Sequence, residues 1–562
     1  MTPPRVLPLA LASAAAAALA AGYTLGVYLP TYNTALTPLD GVPRPTPALA
    51  PAPARPALAR RLVFVVMDGL SFDLARELDE LADLRRAGAL RLLFPPFPTY
   101  TSPALVSFVT GLDPRDHGIR LNGDLTGALD LDTLTLAARD AGVPAILRSR
   151  EWLPFEELMY PARKLGTPLP LAPPPGVEII RGRVRFAWSM ARCAAGLDPA
   201  PPPLDGLSPA RSLELVYLGE VDEAGHRHGG ASPQYVAAAH HAGALVDRLA
   251  RSLDLEQDAL VLASDHGHRP DGGHGGVEPE VHRAFFLAAG RGVRRGVELD
   301  PRPTRDIAST LSALGGLRVP ATNLGRPMLD ALDLPEGERA RALAAPFAQA
   351  GAFACSVRPS PRCASLAPLG ARLAAGDAAA TAEAEALLDA LAADRARDDD
   401  ARAASARALR FGAAVAPVAL ALAALGLRRR DDLRRAARLL PFALLHAAVY
   451  AAAMFTIGYR PSLSAMPGEN YNRDTFISSA AAFVATLVVV ILARPPLLTP
   501  WVLLVATAAP VALLAAWVGA DPAVLPPPAT GALLFEIAPL VLSAASTAFA
   551  MRIVQRWPGR FS

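Results

Sequence analysis

Three short apolar segments of this chain end in the same way, with an aspartate directly or closely behind them. They are "RLVFVVMD", which ends at Asp68, "SLELVYLGEVD", which ends at Asp222, and "DALVLASD", which ends at Asp265. Short apolar runs of this kind, rich in branched side chains, are typical of buried strands. Because helical stretches separate the runs between residues 61 and 335, the sequence predicts an α/β domain built on a parallel sheet.

The polar residues behind these runs are of the types that bind metal ions. In parallel α/β sheets, sites form beyond the carboxyl ends of the strands, so three runs would deliver their polar side chains to one edge. Aspartate and histidine suit zinc and similar divalent ions, and six ligands are enough for two sites of three. The candidate ligands are Asp68, Asp222, His226, Asp265, His266 and His274. The alternative is that "SDHGHRPDGGHGG" (264–276) is a solvated surface loop.

A candidate nucleophile lies in "FPTYTSPALVSFVTG". Pro103 favours the first turn of a helix, and Thr101 stands just ahead of it, where backbone N–H groups and the helix dipole attract a phosphate. A threonine hydroxyl is a poor nucleophile at neutral pH, and metal coordination is one way to activate it. The alternative is that Thr101 only caps the helix.

Together these motifs resemble the type I phosphodiesterase/nucleotide pyrophosphatase branch of the alkaline phosphatase superfamily. The family pattern P-T-x-T-x-P followed by T-G-x-x-P-x-x-H-G-I is matched at 98–103 and 110–119, and the resemblance extends over about residues 62–332. It implies an alkaline-phosphatase-like α/β sandwich. It also implies that Thr101 forms a phospho-threonine intermediate and that Asn122 helps to hold the transferred phosphoryl group.

The resemblance also divides the ligands between two divalent ions, with zinc as the expected metal and manganese as the alternative. The first ion would be held by Asp68, Thr101, Asp265 and His266. The second would be held by Asp222, His226 and His274. His268, His228 and Asp271 match no ligand position, and we expect them to lie around the ligands or in solvent.

The short interval between His266 and His274 is similar to that of the ethanolamine-phosphate transferases that modify glycolipid anchors. Those proteins also join an N-terminal anchor and an exoplasmic catalytic domain to a multispan C-terminus. The resemblance therefore implies hydrolysis or transfer at a phosphate ester or diester, with a lipid-linked phosphate as a candidate substrate. The alternative is a membrane protein whose α/β domain has lost catalysis and serves as a binding or assembly module.

Six apolar segments are long enough to cross a bilayer, which takes about 20 residues. They are 6–29, 411–427, 439–457, 477–493, 497–520 and 532–554. We interpret the first as an uncleaved anchor, with a signal peptide as the alternative. The arginine-rich loop 428–438 marks the cytoplasmic side. This topology predicts a protein of the cytoplasmic (inner) membrane whose catalytic domain is periplasmic or extracellular.

Five regions are expected from these patterns. They are an anchor (1–36), a Pro/Ala-rich linker (37–60), the catalytic domain (61–335), a helical stalk (336–410) and a five-span membrane domain (411–562). Cys355 and Cys363 bracket a short polar loop that a disulfide would close in an oxidising compartment, and two unpaired thiols are the alternative.

The charge pattern argues against a nucleic-acid partner. The chain has 55 basic and 52 acidic residues, for a net charge of +3. No block of basic residues is interleaved with aromatic ones, which is the pattern that nucleic-acid binding would require. The expected partners are therefore the membrane and a phosphate ester.

Overall fold

The computed structural model describes residues 55–119, 131–149, 177–181, 207–208, 210–276 and 278–398, with isolated positions between 448 and 485. Its strands are β1 (Arg61–Met67), β2 (Gly88–Phe94), β3 (Ala145–Ser149), β4 (Val177–Arg181), β5 (Ser212–Leu218), β6 (Ala259–Ala263), β7 (Ala284–Gly290) and β8 (Val297–Pro303). Its helices are α1 (Phe72–Glu77), α2 (Ala82–Ala87), α3 (Thr101–Thr110), α4 (Pro114–His117), α5 (Leu134–Asp140), α6 (Glu220–His228), α7 (Pro233–Arg251), α8 (Asp306–Gly315), α9 (Glu336–Val357), α10 (Leu366–Ala375) and α11 (379–398).

The eight described strands form one sheet in the order β4-β3-β5-β1-β6-β7-β2-β8. All neighbours pair in parallel except β7, which is antiparallel to both β6 and β2. The expectation of a purely parallel sheet was therefore wrong at this strand. A parallel neighbour requires a crossover, usually a helix, whereas β6 is followed by a loop without a described helix, which allows β7 to return antiparallel.

The three strands that precede the candidate ligands lie side by side in the middle of this sheet. β1 pairs in parallel with β5 on one side and with β6 on the other. Met67 at the end of β1 is in register with Leu218 at the end of β5, and Val66 with Ala263 at the end of β6. The predicted convergence of three strand ends at one edge is therefore confirmed.

Helices cover both faces of the sheet, which explains why β1 is apolar at successive positions. Phe64 and Val66 pack on one side with residues of α3, α5 and α8. Val63 and Val65 pack on the other side with residues of α1 and α7. Successive side chains of a strand point to opposite faces, so a strand covered on both sides has no polar positions. The core of the expected α/β sandwich is thus a mixed sheet between two helical layers.

The helices from α9 to α11 form a further apolar cluster around Leu343, Phe347 and Leu373. Arg326, in the segment after α8, forms an ion pair with Asp389 of α11 at 2.7 Å. The described residues from 55 to 398 belong to one compact unit, so the helices predicted for 336–410 belong to the same unit as the sheet up to residue 398. Cys355 and Cys363 form the predicted disulfide.

Among the described residues, no helix is long and apolar enough to cross a membrane. The six predicted spans fall almost entirely outside these residues, as do the arginine-rich loop 428–438 and Asn122.

Candidate metal centre

Asp68 lies directly behind β1, and its side chain is buried. Its Oδ2 accepts a hydrogen bond from the hydroxyl of Tyr217 on the neighbouring strand β5, whereas its Oδ1 has no hydrogen-bond partner. Gly69 follows with a φ of +72°, and a Cβ there would lie 2.7 Å from the Cα of Asp222. The absence of a side chain at Gly69 thus allows Asp68 and Asp222 to approach each other across two strand ends.

Asp265 and His266 follow β6 and are also fully buried. Asp265 Oδ1 accepts hydrogen bonds from the backbone N–H groups of Gly69 and His266, both at 3.0 Å, while Oδ2 has no partner. His266 Nδ1 lies 3.2 Å from the carbonyl oxygen of Gly267. Its Nε2 therefore faces the carboxylates, at 3.4 Å from Asp68 Oδ1 and 3.3 Å from Asp265 Oδ2.

Thr101 begins α3 beside these groups, with its Oγ1 at 3.4 Å from His266 Nε2. The residue ahead of the helix is Tyr100, and no side chain makes a capping hydrogen bond there. The structure thus brings the predicted nucleophile to the predicted ligands. We call this group the first cluster, which consists of Asp68, Thr101, Asp265 and His266.

The second cluster consists of Asp222, His226, His268 and His274. Asp222 and His226 lie one turn apart on α6, with His226 Nε2 at 3.5 Å from Asp222 Oδ1. His274 comes from the loop behind β6, and its Nε2 lies 3.0 Å from His226 Nε2 and 3.5 Å from Asp222 Oδ1. The other ring nitrogen of His274, Nδ1, lies 2.9 Å from the carbonyl oxygen of Thr99.

His268 is the one member of this cluster that the motifs did not assign. It is buried, and its Nε2 lies 2.9 Å from Asp222 Oδ1. Its position two residues after His266 is the signal that could have identified it, although a loop has no periodicity to show which side chains share a face. His228, by contrast, is exposed, and Asp271 pairs with Arg269 at 2.9 Å.

Burial and mutual repulsion set the protonation of the carboxylates. Burial, together with the charges of Asp222 and Asp265, raises the pKa of Asp68 well above its usual value. Burial raises the pKa of Asp265 to about 6. Burial also acts to raise the pKa of Asp222, but the histidines around it lower that pKa well below its usual value. Ionising both carboxylates of the first cluster is therefore costly unless a cation lies beside them.

The imidazoles of the two clusters are suited to bind a cation. Burial lowers the pKa of His266 to about 3, and burial with the charge of neighbouring histidines lowers the pKa of His274 well below its usual value. At neutral pH both rings are neutral. Each directs Nδ1 at a backbone carbonyl, so the lone pair is on Nε2, which is the arrangement typical of metal-binding histidines.

The donor atoms fit divalent metal ions. Asp68 Oδ1 and Asp265 Oδ2 are buried polar atoms without a partner, and burying a carboxylate in this way is costly unless a cation compensates it. In two groups of side chains, each residue offers one donor atom, and these atoms lie within 4.8 Å of one another. One group consists of Asp68, Asp265 and His266, and the other of Asp222, His226, His268 and His274. Mixed oxygen and nitrogen donors of these types suit zinc and related ions.

A family model matches part of this chain. Residues 62–152 and 204–277 match the model of the type I phosphodiesterase / nucleotide pyrophosphatase family. The match confirms the resemblance drawn from the motifs and indicates an enzyme that acts on phosphate esters. No curated protein matches the chain significantly.

Three solved structures show a distant likeness. Murine ectonucleotide pyrophosphatase / phosphodiesterase 5 is 16% identical with a TM-score of 0.34, over 46% of this chain and 96% of that chain. Its inactive variant in complex with AMP is 15% identical with a TM-score of 0.35, over the same shares of 46% and 96%. The human protein is 14% identical with a TM-score of 0.37, over 49% and 100%. At these values the structural likeness adds no weight to the family match.

Proposed function

We propose that this chain is a two-metal phosphodiesterase or phosphotransferase in which Thr101 is the nucleophile. The observation that carries the proposal is the meeting of four buried atoms at the start of α3. Thr101 Oγ1 and His266 Nε2 lie 3.4 Å apart, and His266 Nε2 in turn lies within 3.4 Å of the unpartnered oxygens of Asp68 and Asp265. The Thr101 hydroxyl is thus held beside the side chains that would bind an activating ion.

The Thr101 hydroxyl gives up its proton and its oxygen attacks the phosphorus of the ester. The bond from phosphorus to the leaving oxygen breaks as the phospho-threonine forms, and the leaving group takes up a proton from solvent and departs as an alcohol. The amino end of α3 faces the incoming phosphoryl group, where its backbone N–H groups and dipole favour negative charge. Water or a second hydroxyl then attacks the same phosphorus and releases Thr101. Hydrolysis and transfer differ only in this second nucleophile. Asn122 is proposed to donate a hydrogen bond to a phosphoryl oxygen.

The proposed cofactors are two zinc ions, with manganese as the alternative. The first cluster would hold one ion, and Asp222, His226 and His274 would hold the other. When bound, such ions neutralise charge on the phosphoryl group and lower the pKa of the hydroxyl that attacks it.

We propose that the catalytic domain faces the periplasm or exterior of the cytoplasmic membrane, between an N-terminal anchor and five C-terminal spans. The disulfide between Cys355 and Cys363 supports an oxidising compartment. A cysteine introduced into 37–60 should react with an impermeant reagent on intact cells, whereas one introduced into 428–438 should react only after permeabilisation. Equal reaction at both places would contradict this topology.

A lipid-linked phosphate is the proposed substrate, because a soluble diester would need no membrane domain beyond an anchor. A chain truncated after residue 398 should still cleave a small chromogenic diester. Its activity on a lipid-linked phosphate in bilayers should fall by far more than tenfold, which is the factor that about 1.4 kcal/mol of binding free energy represents. If the truncated and full chains were equally active on both substrates, the spans would serve only to anchor the catalytic domain.

The central test replaces Thr101. Thr101→Ala should reduce diester turnover to background while the bound zinc, measured by elemental analysis, remains unchanged. Thr101→Ser, which keeps a hydroxyl, serves as the matched control and should retain measurable turnover with a trapped phosphoserine. Near-normal activity in Thr101→Ala would identify water as the nucleophile, and an inactive wild type that binds zinc would favour a binding module.

A further inference from the structure

Three histidines approach Asp222, but at two different distances. His226 Nε2 and His274 Nε2 both lie 3.5 Å from Asp222 Oδ1, whereas His268 Nε2 lies 2.9 Å from it. Ligands around one tetrahedral ion, with bonds of about 2.0 Å, stand about 3.3 Å apart. A separation of 2.9 Å is also the usual length of an N–H···O hydrogen bond. Because the Nε2 atoms of His226 and His274 are nearly as close to each other, at 3.0 Å, the other ring nitrogen of His268 has to decide between a ligand and a donor.

The second ring nitrogen of His268, Nδ1, shows whether this histidine is a metal ligand or a hydrogen-bond donor. His274 directs Nδ1 at the carbonyl oxygen of Thr99, as a ligand that uses Nε2 should. His268 Nδ1 is buried and has no hydrogen-bond partner. If His268 coordinated an ion through Nε2, its proton would have to sit on Nδ1, where no acceptor lies. A proton on Nε2, donated to Asp222, avoids that buried and unpaired N–H group.

The packing around His268 shows how the chain makes room for this contact. Its ring lies against Gly225, where a Cβ would stand 2.4 Å from His268 Cδ2. Glycine inside a helix costs about 1 kcal/mol relative to alanine. Gly225 occupies the turn of α6 between Asp222 and His226. A side chain at this position would displace the His268 ring. The rings of His226 and Tyr235 contact His268 edge to face, with centroids at 5.0 and 5.9 Å.

We propose that His268 is a positioning residue of the second cluster. It donates a hydrogen bond from Nε2 to Asp222 Oδ1 and thereby holds the carboxylate toward His226 and His274, without binding the ion itself. A carboxylate oxygen has more than one lone pair, so Oδ1 accepts this bond and still faces the other two histidines. The inference rests on the proposed function only in requiring that the second cluster binds a metal ion.

The test compares three substitutions in the full-length chain. His268→Phe removes the donor, His268→Gln keeps an N–H group near the place of Nε2, and His228→Phe changes an exposed histidine at the end of α6. Zinc affinity and stoichiometry are measured by chelator competition. His268→Phe should weaken the second ion by about 10- to 100-fold, as loss of an outer hydrogen bond typically does. His268→Gln should restore most of that loss, and His228→Phe should match the wild type.

Cobalt substitution provides the spectroscopic arm, because the visible absorption of cobalt changes with its ligands. The spectra of wild type and His268→Gln should coincide if His268 is not a ligand. Altered cobalt absorption in His268→Gln, with a loss of affinity as large as in His268→Phe, would make His268 a fourth ligand and overturn the proposal. Unchanged zinc affinity in His268→Phe would overturn it as well.

Gly225→Ala is the second route to the same result, since it displaces the ring while keeping every polar side chain and improving helix propensity. It should weaken the second ion as His268→Phe does, and wild-type affinity in Gly225→Ala would contradict the proposed role of the contact. These readouts require no turnover. A wild type that binds two ions but cleaves no diester would therefore contradict the proposed function and leave the role of His268 standing.

Discussion

The first and second clusters lie at the same edge of the sheet but are supported in different ways. Asp68 follows β1 directly, and Asp265 and His266 come within three residues of the end of β6. All three are buried, and each is oriented by a backbone group or by Tyr217. Asp222 and His226 stand on the short helix α6, where their side chains are 19% and 44% exposed. The strand ends thus give a buried group of candidate ligands, whereas the helix gives a group that is exposed on one side.

This difference predicts unequal effects when one histidine is removed from each cluster. His266→Ala should lower kcat/KM by at least about 10³-fold, because an ion bound next to Thr101 would supply several kcal/mol of charge stabilisation. His226→Ala should lower it by about 10²-fold and recover partly in excess zinc, because solvent can replace a ligand at the open side. Activity measured during zinc titration checks both.

The two variants serve as controls for each other, since each loses one imidazole. If excess zinc rescued both to the same extent, the burial of the first cluster would have no functional consequence. If neither responded, the exposure of His226 would not measure how readily solvent enters the second cluster.

Opposite effects of pH on stability should also separate the clusters in metal-free protein. Burial raises the pKa of Asp265 from 3.8 to about 6, so the stability it contributes is fully present below 3.8 and is lost as the pH rises through about 6. Asp265→Asn removes this loss. In the presence of chelator, the unfolding free energy of Asp265→Asn should exceed that of the wild type by up to about 3 kcal/mol at neutral pH, since one pKa unit corresponds to about 1.4 kcal/mol. Near pH 4 the two proteins should be equally stable.

Asp222→Asn provides the opposite sign. The pKa of Asp222 is lowered by its histidines, so its stabilising contribution is present at neutral pH and is lost only as the pH falls through the folded-state pKa. Asp222→Asn should therefore be less stable than the wild type at neutral pH. Urea unfolding in chelator measures both variants, and effects of the same sign would show that the clusters do not differ in charge balance.

The candidate ligands behind the strands were predictable because two local signals coincide. A run such as "RLVFVVM" is apolar at every inner position only when both faces are covered, and its carboxyl end then lies at the edge where sites form. The same signals occur before Asp222 and Asp265. The orientation of β7 was not predictable from its own residues, because "AFFLAAG" is equally apolar in either direction.

His268 and the docking of α9 to α11 depend on contacts between distant parts of the chain. The role of His268 depends on Gly225, which lies on a different element, and neither residue indicates the other in sequence. The alanine-rich region after residue 336 predicts helices, but where they pack depends on apolar contacts such as those around Phe347 and on ion pairs such as Arg326 with Asp389. Pairwise contacts of this kind have no periodicity from which to infer them.

The smallest expected effect concerns Tyr217, which orients Asp68 in the first cluster as His268 is proposed to orient Asp222 in the second. Burial and the nearby carboxylates raise the pKa of Tyr217 well above its usual value, so its hydroxyl stays protonated and donates to Asp68 Oδ2. Tyr217→Phe should weaken the first zinc ion by about tenfold, the lower end for loss of an outer hydrogen bond. The backbone bonds to Asp265 remain and limit the loss.

Tyr235→Phe is the matched control for Tyr217→Phe. It also loses a buried hydroxyl, but that hydroxyl donates to the carbonyl oxygen of Gly69 at 2.6 Å and not to a ligand. We expect both variants to lose stability, while only Tyr217→Phe loses zinc affinity in chelator competition. If Tyr217→Phe bound zinc as tightly as the wild type, the strand ends alone would hold Asp68 in place. Tyr217 would then not position Asp68 in the way that His268 is proposed to position Asp222.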